Sequence, residues 1–341
     1  EDGIRDLVRS RGLGRKIKAL GLDFGIWVEP EMISEDSDLY REHPDWALTI
    51  PGRNPVHARN QLVLDFSRKE VVDHIFDQIC KVLDQGNIEY VKWDMNRHLT
   101  DLGSAYLDRK NQNELSHRYV LGLYQVMETL TERFPQVLFE SCSSGGGRFD
   151  AGMLYYMPQT WTSDNTDAVC RLKIQYGTSF LFPTVTMGAH VSACPNHQVG
   201  RTTSLATRFA VAAAGNLGYE LDLKKLSKEE KKEVREQIAE YKRRRRTVQF
   251  GTYYRLTDSF QDNQSAWNIV SEDGMDVIFT HVQILARSAY RVPVIRLKGL
   301  DPDAVYIDCE TGQEYGGDEL MYAGIRIPRI RQDFSSTTMV L

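Results

Sequence analysis

The sequence predicts an α/β fold of the (β/α)8 TIM-barrel type, with about six βα units present, followed by a small antiparallel β-sandwich domain. In residues 1–249, short apolar strands alternate with amphipathic helical segments, which is typical of a parallel sheet. Most strand candidates end in acidic or polar residues, and α/β barrels carry their functional groups at that end of the strands. After residue 250 the pattern changes to short alternating segments separated by Gly-containing turns. The predicted domains are therefore 1–249, the barrel, and 250–341, the β-sandwich.

The individual elements follow from the apolar spacing and the turn signals. The barrel strand candidates are Asp23–Glu29, Gln61–Phe66, Glu89–Asp94, Gln136–Ser141, Gln159–Ser163 and Ser179–Thr186. The helix candidates are Lys69–Leu83, Glu114–Arg133, Arg201–Ala214 and Ser227–Val248, the last with a capping box at Ser227 and Glu230. The strand candidates of the second domain include Asp276–Val282, Val292–Leu297, Ala304–Asp308 and Thr338–Leu341. Because a complete barrel of this type has eight strands, six candidates predict a barrel that is incomplete at its start.

Composition and motif searches exclude several classes of protein. Hydrophobic residues make up 41% of the 341 residues and charged residues 26%, so the chain can bury a core. The net charge of −5 disfavours nucleic-acid binding, and we interpret Arg243–Arg246 as a solvated helix end. No apolar run approaches the roughly 20 residues of a membrane span. A doubly wound sheet would also place ligands at its strand ends, but no Gly-x-Gly-x-x-Gly follows a strand, which disfavours dinucleotide binding.

Cysteine usage and the first residues of the chain add two expectations. Five scattered cysteines predict neither a disulfide framework nor a zinc site. The chain starts at Glu1 without an initiator Met or a signal peptide, so we expect part of a longer protein. We also expect a cytoplasmic location.

The first candidate catalytic residue is Asp94, at the end of the strand candidate Glu89–Asp94. Side chains alternate along a strand, so Lys92, Asp94 and Asn96 share one face. A cation beside a carboxylate favours the charged form, and an ionised carboxylate can act as a nucleophile. A structural salt bridge between Lys92 and Asp94 is the alternative interpretation.

The second candidate is Asp164, which follows the strand candidate Gln159–Ser163. Asp164 and Asp167 lie in a turn rich in Ser, Asn and Thr, so either one could instead cap the helix that follows. Two carboxylates that each end a barrel strand can converge at the barrel mouth. Paired carboxylates on either side of one bond are what glycoside hydrolysis requires.

Two further motifs could bind a ligand. Three glycines, Gly145–Gly147, follow the strand candidate Gln136–Ser141 and allow a close approach of backbone N–H groups to a ligand. Cys142 beside them would need a histidine partner to act as a nucleophile, and spacing does not show one. Trp27 is suited to stacking on a sugar, or else lies in the core. Glu29 and Glu31 share its strand parity, but no His-Glu-x-x-His pattern accompanies them, so we predict no metal site.

Taken together, these motifs resemble glycoside hydrolase family 36, the retaining α-galactosidases, in their bacterial and fungal branch. The strings that carry the resemblance cover residues 14–190 in order and include 24–32, 43–46, 59–65, 92–97, 142–150, 163–168 and 171–179, with 316–321 in the last domain. The resemblance implies that Asp94 is the nucleophile and that Asp164 is the general acid/base. It also implies a galactose subsite lined by Trp27, Arg59, Lys92, Asn96, Cys142 and Gly145. The loop of Cys142 and Gly145 is where family members contact the 2-hydroxyl, and its form here favours galactose over N-acetylgalactosamine.

The resemblance implies α-galactoside oligosaccharides as partners, no metal or organic cofactor, and a possible homo-oligomer, since relatives are often tetramers. One motif is absent: family members carry Asp-Asp-Gly-Trp at the end of the second barrel strand, where its aspartates bind the galactose 4- and 6-hydroxyls. This sequence has no Asp-Asp-Gly-Trp, so we expect the carboxyl-terminal portion of an α-galactosidase, with reduced activity alone. A non-catalytic carbohydrate-binding remnant and an α-galactosyl transferase acting on sugar acceptors are the alternatives.

Overall fold

The computed structural model describes residues 12–85, 87–288 and 292–341, so residues 1–11, with which the predicted barrel domain begins, lie outside the described residues. The chain forms two compact units, Glu1–Trp161 and Thr162–Leu341. This division is not the predicted domain boundary between residues 249 and 250, which stays a prediction.

The first unit is built on four parallel strands. Its strands are β1 (Gly25–Val28), β2 (Met32–Ile33), β3 (Leu62–Val63), β4 (Tyr90–Asp94), β5 (Leu138–Cys142) and β6 (Gln159–Trp161). Its helices are α1 (12–19), α2 (Asp38–Glu42), α3 (Lys69–Leu83), α4 (Leu115–Arg133) and α5 (Ala151–Tyr156). Strands β1, β4, β5 and β6 pair in parallel in that order, whereas β2 and β3 form a separate antiparallel pair.

The sheet of the first unit is covered by α3 and α4. Val91 and Trp93 of β4 are fully buried in one core with the apolar faces of both helices, as their strand parity predicts. Helix α3 has the predicted bounds because its apolar residues recur at helical spacing. Helix α4 packs closely against the backbone of Phe66 at Gly122, where a Cβ atom would lie 1.9 Å from the carbonyl oxygen of Phe66.

The second unit combines two parallel strands with antiparallel sheets. Its strands are β7 (Met187–Ser192), β8 (Asn216–Glu220), β9 (Thr252–Arg255), β10 (Gln264–Val270), β11 (Val277–Gln283), β12 (Val294–Ile295), β13 (Val305–Ile307), β14 (Glu314–Gly316), β15 (Ile325–Arg326) and β16 (Ser335–Val340). Its helices are α6 (Ala168–Thr178), α7 (Leu205–Ala212) and α8 (Lys228–Phe250). Strands β7 and β8 are parallel, and β16, β11, β10 and β9 form an antiparallel sheet in that order. The antiparallel structure predicted after residue 250 is confirmed.

Residues 12–85, 87–288 and 292–341 contain the predicted number of six barrel-type strands, four in the first unit and two in the second, but two candidates were wrong. Gln61–Phe66 supplies β3, which pairs antiparallel with β2 instead of joining the parallel sheet. Its residues are as buried as those of a barrel strand, so the apolar pattern does not separate the two cases. Ser179–Thr186 forms a turn and, after Pro183, a 3-10 segment at Thr184–Thr186, and β7 begins at the next residue. Strands β7 and β8 were missed because glycines interrupt their apolar pattern.

Helix α8 begins as predicted. The Ser227 hydroxyl accepts from the backbone N–H of Glu230 at 3.0 Å, and the Glu230 carboxylate accepts from the backbone N–H of Ser227 at 2.8 Å. This reciprocal pair is the capping box that the sequence predicts. No helix within the described residues is long and apolar enough to cross a membrane.

Candidate active site

Asp94 is the last residue of β4, and three hydrogen-bond donors bind its carboxylate. Its carboxylate is 6% exposed, and its Oδ2 accepts from the indole N–H of Trp27 at 3.0 Å and from the Asn96 amide at 2.7 Å. The backbone N–H of Met95 donates to Oδ1 at 2.9 Å. An ionised carboxylate only accepts hydrogen bonds, so three donors suit that form and fix its orientation. Asp94 lies beside Cys142 in the register of β4 and β5.

Lys92 pairs with Glu140 of the neighbouring strand. Its Nζ lies 3.3 Å from Glu140 Oε1 and 4.8 Å above the ring centroid of Trp161. The other oxygen of Glu140 accepts from the hydroxyl of Tyr90 and from Gln159 Nε2 at 2.5 Å. Burial and the adjacent Glu140 carboxylate raise the pKa of Tyr90, so its hydroxyl stays a donor.

The alternative of a salt bridge between Lys92 and Asp94 is therefore not found. Among the described residues Asp94 makes no ion pair, because the ammonium group of Lys92 is matched by Glu140. Strand parity correctly placed Lys92 on the same face of β4 as Asp94. The register between β4 and β5, however, decides which carboxylate the Lys92 ammonium group contacts.

A second carboxylate, Glu29, connects Asn96 to Arg59. Glu29 Oε1 accepts from the Asn96 amide at 2.5 Å and lies 3.1 Å from Arg59 Nη1. Trp27, two residues before Glu29, is 51% exposed, so its indole face is open and not part of the core. Sequence spacing did not predict the contact of Glu29 with Arg59, because it joins residues 30 positions apart.

Arg59 stands on a strained two-residue turn. Arg59 and Asn60 have φ values of 56° and 59°, in the left-handed region that non-glycine residues rarely occupy. The flanking residues Ala58 and Gln61 exchange backbone hydrogen bonds of 3.3 and 3.0 Å, as in a tight hairpin. Such backbone strain clusters at functional sites, and here it holds Arg59 against Glu29.

The loop of residues 143–147, which contains the three glycines, folds back toward Asn96. Ser144 and Gly145 are both left-handed, with φ values of 49° and 89°, and the Ser143 N–H donates to the Gly145 carbonyl at 2.8 Å. The Ser144 hydroxyl lies 3.3 Å from Asn96 Oδ1. Cys142 is 1% exposed, and burial raises the pKa of its thiol to about 12. The thiol is therefore neutral near pH 7, which argues against a nucleophilic cysteine.

In the second unit, Asp164 and Asp167 have different environments. Asp167 is 2% exposed, accepts from the backbone N–H of Cys170 at 2.8 Å as the N-cap of α6, and pairs with Arg201. It is the helix cap that the sequence left open as an alternative. Asp164 is exposed.

A buried arginine supports the segment that leads to Asp164. Arg171 is 2% exposed and donates to the carbonyl of Ser163 at 2.8 Å and to the hydroxyl of Thr162. Burial lowers the pKa of Arg171 to about 10, while the negative charges of Glu220 and Asp164 oppose that change. Arg171 therefore keeps its charge near neutral pH and provides a positive group under the turn that carries Asp164.

The structure places the predicted site residues in two sets. Six of the predicted residues lie in the first unit with Asp94: Trp27, Arg59, Lys92, Asn96, Cys142 and Gly145. Trp27 and Asn96 contact Asp94, Arg59 reaches Asn96 through Glu29, and Lys92 contacts Glu140 and Trp161 instead. Asp164 lies in the second unit. In the described part of the chain no three His, Cys, Asp or Glu side chains are placed to bind a metal ion. Sequence reasoning missed the part of Glu29, which it considered only as a metal ligand.

The family follows from comparison with known proteins. Residues 7–251 match the Melibiase family and residues 264–341 match the Glycosyl hydrolase family 36 C-terminal domain. The chain therefore belongs to glycoside hydrolase family 36.

The similar proteins are α-galactosidases. AgaA of Geobacillus stearothermophilus is 57% identical over 325 residues, and Mel36A of Lactobacillus acidophilus is 52% identical over 316 residues. These matches cover 95% and 93% of this chain but 44% and 43% of the relatives, so the chain spans less than half their length. The crystal structure of an AgaA variant with raffinose has a TM-score of 0.95 at 56% identity, covering 96% of this chain and 46% of that one. This likeness confirms the predicted fold.

Proposed function

We propose that the protein is a retaining α-galactosidase that hydrolyses terminal α-galactosyl residues of melibiose- or raffinose-type oligosaccharides. Asp94 is the nucleophile and Asp164 the general acid/base. The observation that carries this proposal is the set of three hydrogen-bond donors around Asp94, which orients its carboxylate, and within the described residues no cation neutralises that carboxylate by contact. Cytoplasmic location, assembly into oligomers and reduced turnover of the 341-residue chain assayed alone stay predictions.

The relatives supply independent support for this pair of residues. AgaA was crystallised with raffinose and with stachyose as two variants, each with one aspartate replaced, by asparagine and by alanine respectively. The two replaced aspartates are 70 positions apart in that enzyme, the same separation as between Asp94 and Asp164 in this chain. Replacing a catalytic carboxylate is a common way to keep a substrate intact in a crystal, so this spacing agrees with the assignment.

The reaction divides into two displacements. The Asp94 carboxylate attacks the anomeric carbon, the bond to the leaving-group oxygen breaks, and Asp164 donates its proton to that oxygen. Asp164, now a carboxylate, then removes a proton from water. The water oxygen attacks the anomeric carbon and releases the carboxylate of Asp94. Since Asp164 is exposed, it can exchange protons with solvent between turnovers.

The neighbours of Asp94 have roles that follow from their contacts. Trp27 and Asn96 hold Oδ2, and the open indole face of Trp27 can stack on the sugar ring. Lys92 and Arg59 offer hydrogen-bond donors to hydroxyl groups, each anchored by a carboxylate. For the loop of Cys142 and Gly145, the family resemblance implies a contact with the 2-hydroxyl.

The experiment uses the native protein and an aryl α-galactoside. We expect Asp94→Asn to remove hydrolysis, and Asp94→Gly with azide to give β-galactosyl azide, because azide then attacks the face that Asp94 occupied. We expect Asp164→Ala with azide to give the α-azide. The matched control is Asp36→Asn, at a fully exposed side chain. Full activity of Asp94→Asn would refute the assignment, and binding of melibiose without turnover by the wild type would favour the non-catalytic alternative.

A further inference from the structure

A single buried carboxylate connects three segments of the candidate active site. Glu31 is 0% exposed, and each of its oxygens accepts two hydrogen bonds. Oε1 accepts from Arg148 Nη2 at 2.9 Å and from the Trp93 indole at 2.8 Å. Oε2 accepts from Arg148 Nη1 at 2.9 Å and from the Tyr119 hydroxyl at 2.6 Å. Four donors satisfy this carboxylate, so it is not available to bind a metal ion.

Arg148 connects Glu31 to the 143–147 loop. With both Nη atoms on Glu31, its Nε donates to the Ser143 hydroxyl at 2.7 Å. The backbone of Ser143 is bonded to the loop on both sides, through its N–H to the Gly145 carbonyl at 2.8 Å and through its carbonyl to the Gly147 N–H at 3.3 Å. A Cβ atom at Gly147 would lie 2.7 Å from the Ser143 carbonyl oxygen, so the loop is closely packed at this point. The position of Ser143 therefore sets the position of the loop.

The same carboxylate fixes the strand that ends in Asp94. Trp93 is 0% exposed and directly precedes Asp94, and its indole shares Oε1 of Glu31 with Arg148. A planar guanidinium that binds a carboxylate with two parallel bonds constrains angles as well as distances. A buried ion pair adds little net stability compared with apolar residues of the same volume, so its main contribution here is geometric.

We infer that Glu31 and Arg148 are positioning residues that hold the 143–147 loop in the conformation needed to recognise one hydroxyl of the sugar, so that they determine specificity without touching the substrate. The inference rests on the proposed function, because it needs a sugar beside Asp94. A purely stabilising role of Glu31 and Arg148 would affect recognition of every hydroxyl group, whereas the positioning role affects recognition of one hydroxyl group. In the proposed site that group is the 2-hydroxyl.

The test compares Arg148→Lys with the wild type on an aryl α-galactoside and on its 2-deoxy, 3-deoxy and 6-deoxy analogues. Lysine keeps the charge but loses the two-pronged contact and the Nε donor. We expect kcat/KM for the parent to fall by about 10-fold to 100-fold, mainly through KM, as for the loss of one well-placed hydrogen bond. For the 2-deoxy analogue we expect less than about a 2-fold fall. Arg133→Lys, at an exposed ion pair with Asp84, is the matched control.

A second variant guards against a folding defect. Ser143→Ala removes the acceptor of Arg148 Nε and leaves the four contacts of Glu31 in place. We expect a smaller loss with the same dependence on the 2-hydroxyl and an unchanged melting temperature. Equal losses on the parent and on all deoxy analogues would overturn the inference, as would unchanged kinetics of both variants.

A binding measurement separates this inference from the proposed function. Titration calorimetry with galactose reports loop recognition even if Asp94 is not the nucleophile. If Asp94→Asn keeps full activity while Arg148→Lys weakens galactose but not 2-deoxygalactose, the assigned mechanism fails and the positioning inference holds. If Asp94→Asn is inactive and Arg148→Lys binds galactose as the wild type does, the positioning inference fails and the mechanism stands.

Discussion

Protonation of His281 is expected to destabilise the second unit below neutral pH. His281 lies in the middle of β11, between Ala266 of β10 and Thr337 of β16, and is 1% exposed. Its Nε2 lies 3.0 Å from Gln264 Oε1, and within the described residues its buried Nδ1 has no hydrogen-bond partner. Burial lowers the pKa of His281 from 6.5 to about 4. Within the described part of the chain no carboxylate offsets this burial, so the neutral ring is the form that the fold accepts.

The sign and size of the effect follow from linkage. The folded pKa lies below the unfolded one, so the unfolded chain binds the proton more readily, and stability is lost as pH falls from 6.5 towards 4. With pKa values of 6.5 and about 4, the loss between pH 7.5 and pH 5 is about 2 kcal/mol. Below pH 4 the loss approaches about 3 kcal/mol, which is a large part of the stability of a typical domain.

Urea denaturation of the wild type and of His281→Gln at pH 7.5 and pH 5 measures this term. Glutamine keeps a donor for Gln264 but does not titrate. We expect the difference in unfolding free energy between the two pH values to be about 2 kcal/mol smaller in the variant. His117→Gln, at an exposed position on α4, is the matched control and should behave as the wild type. Equal pH dependence of His281→Gln and the wild type, or an NMR titration midpoint of His281 near 6.5, would refute the reasoning.

Three further predictions concern the cap of α6, the accessibility of two cysteines and the packing of α4. Asp167→Ala should lower the unfolding free energy by about 1–3 kcal/mol in urea, because it removes the α6 cap and leaves Arg201 without its carboxylate; a loss under about 0.5 kcal/mol would contradict this. Iodoacetamide at pH 8 should label the exposed Cys309 and leave Cys142 unmodified, as read by peptide mass spectrometry; modification of both at similar rates is the opposing result. Gly122→Ala should lower the melting temperature despite the higher helix propensity of alanine, because its Cβ would collide with a backbone carbonyl; an unchanged value would count against the close approach.

The elements that sequence predicted best are those with local signals. The bounds of α3 follow from apolar spacing, and the start of α8 follows from a capping box that involves only Ser227 and Glu230. The strands were harder because their partners are distant in sequence. Gln61–Phe66 has the apolar pattern of a barrel strand, yet only pairing with β2 reveals its antiparallel setting. Strand β8, with Gly218 in its middle, gives a weak pattern and depends on its neighbour for stability.

In the candidate site, too, contacts between residues distant in sequence were harder to predict than local features. The sequence predicted catalytic roles for Asp94 and Asp164 because they end strand candidates, and the motifs that surround them carry a family resemblance. It left Asp167 undecided, since a cap and a catalytic carboxylate look alike in a turn rich in Ser and Asn. It also left a salt bridge between Lys92 and Asp94 open as an alternative, whereas strand register brings Lys92 to Glu140. Contacts between neighbouring strands decide such pairings, and spacing along one strand does not contain them.

Glu29 and Glu31 show how far strand parity can be extended. Parity places them on one face with Trp27, but β1 ends at Val28 and the chain turns at Pro30, so the alternation stops before either glutamate. Glu29 then faces Arg59 and Asn96, whereas Glu31 turns into the core beneath Trp93. A charge can be buried there only because four donors meet it, and those donors come from segments far along the chain. The short segment from Trp27 to Glu31 thus holds one residue suited to stacking on substrate, one carboxylate that orients polar side chains, and one that positions the loop from beneath.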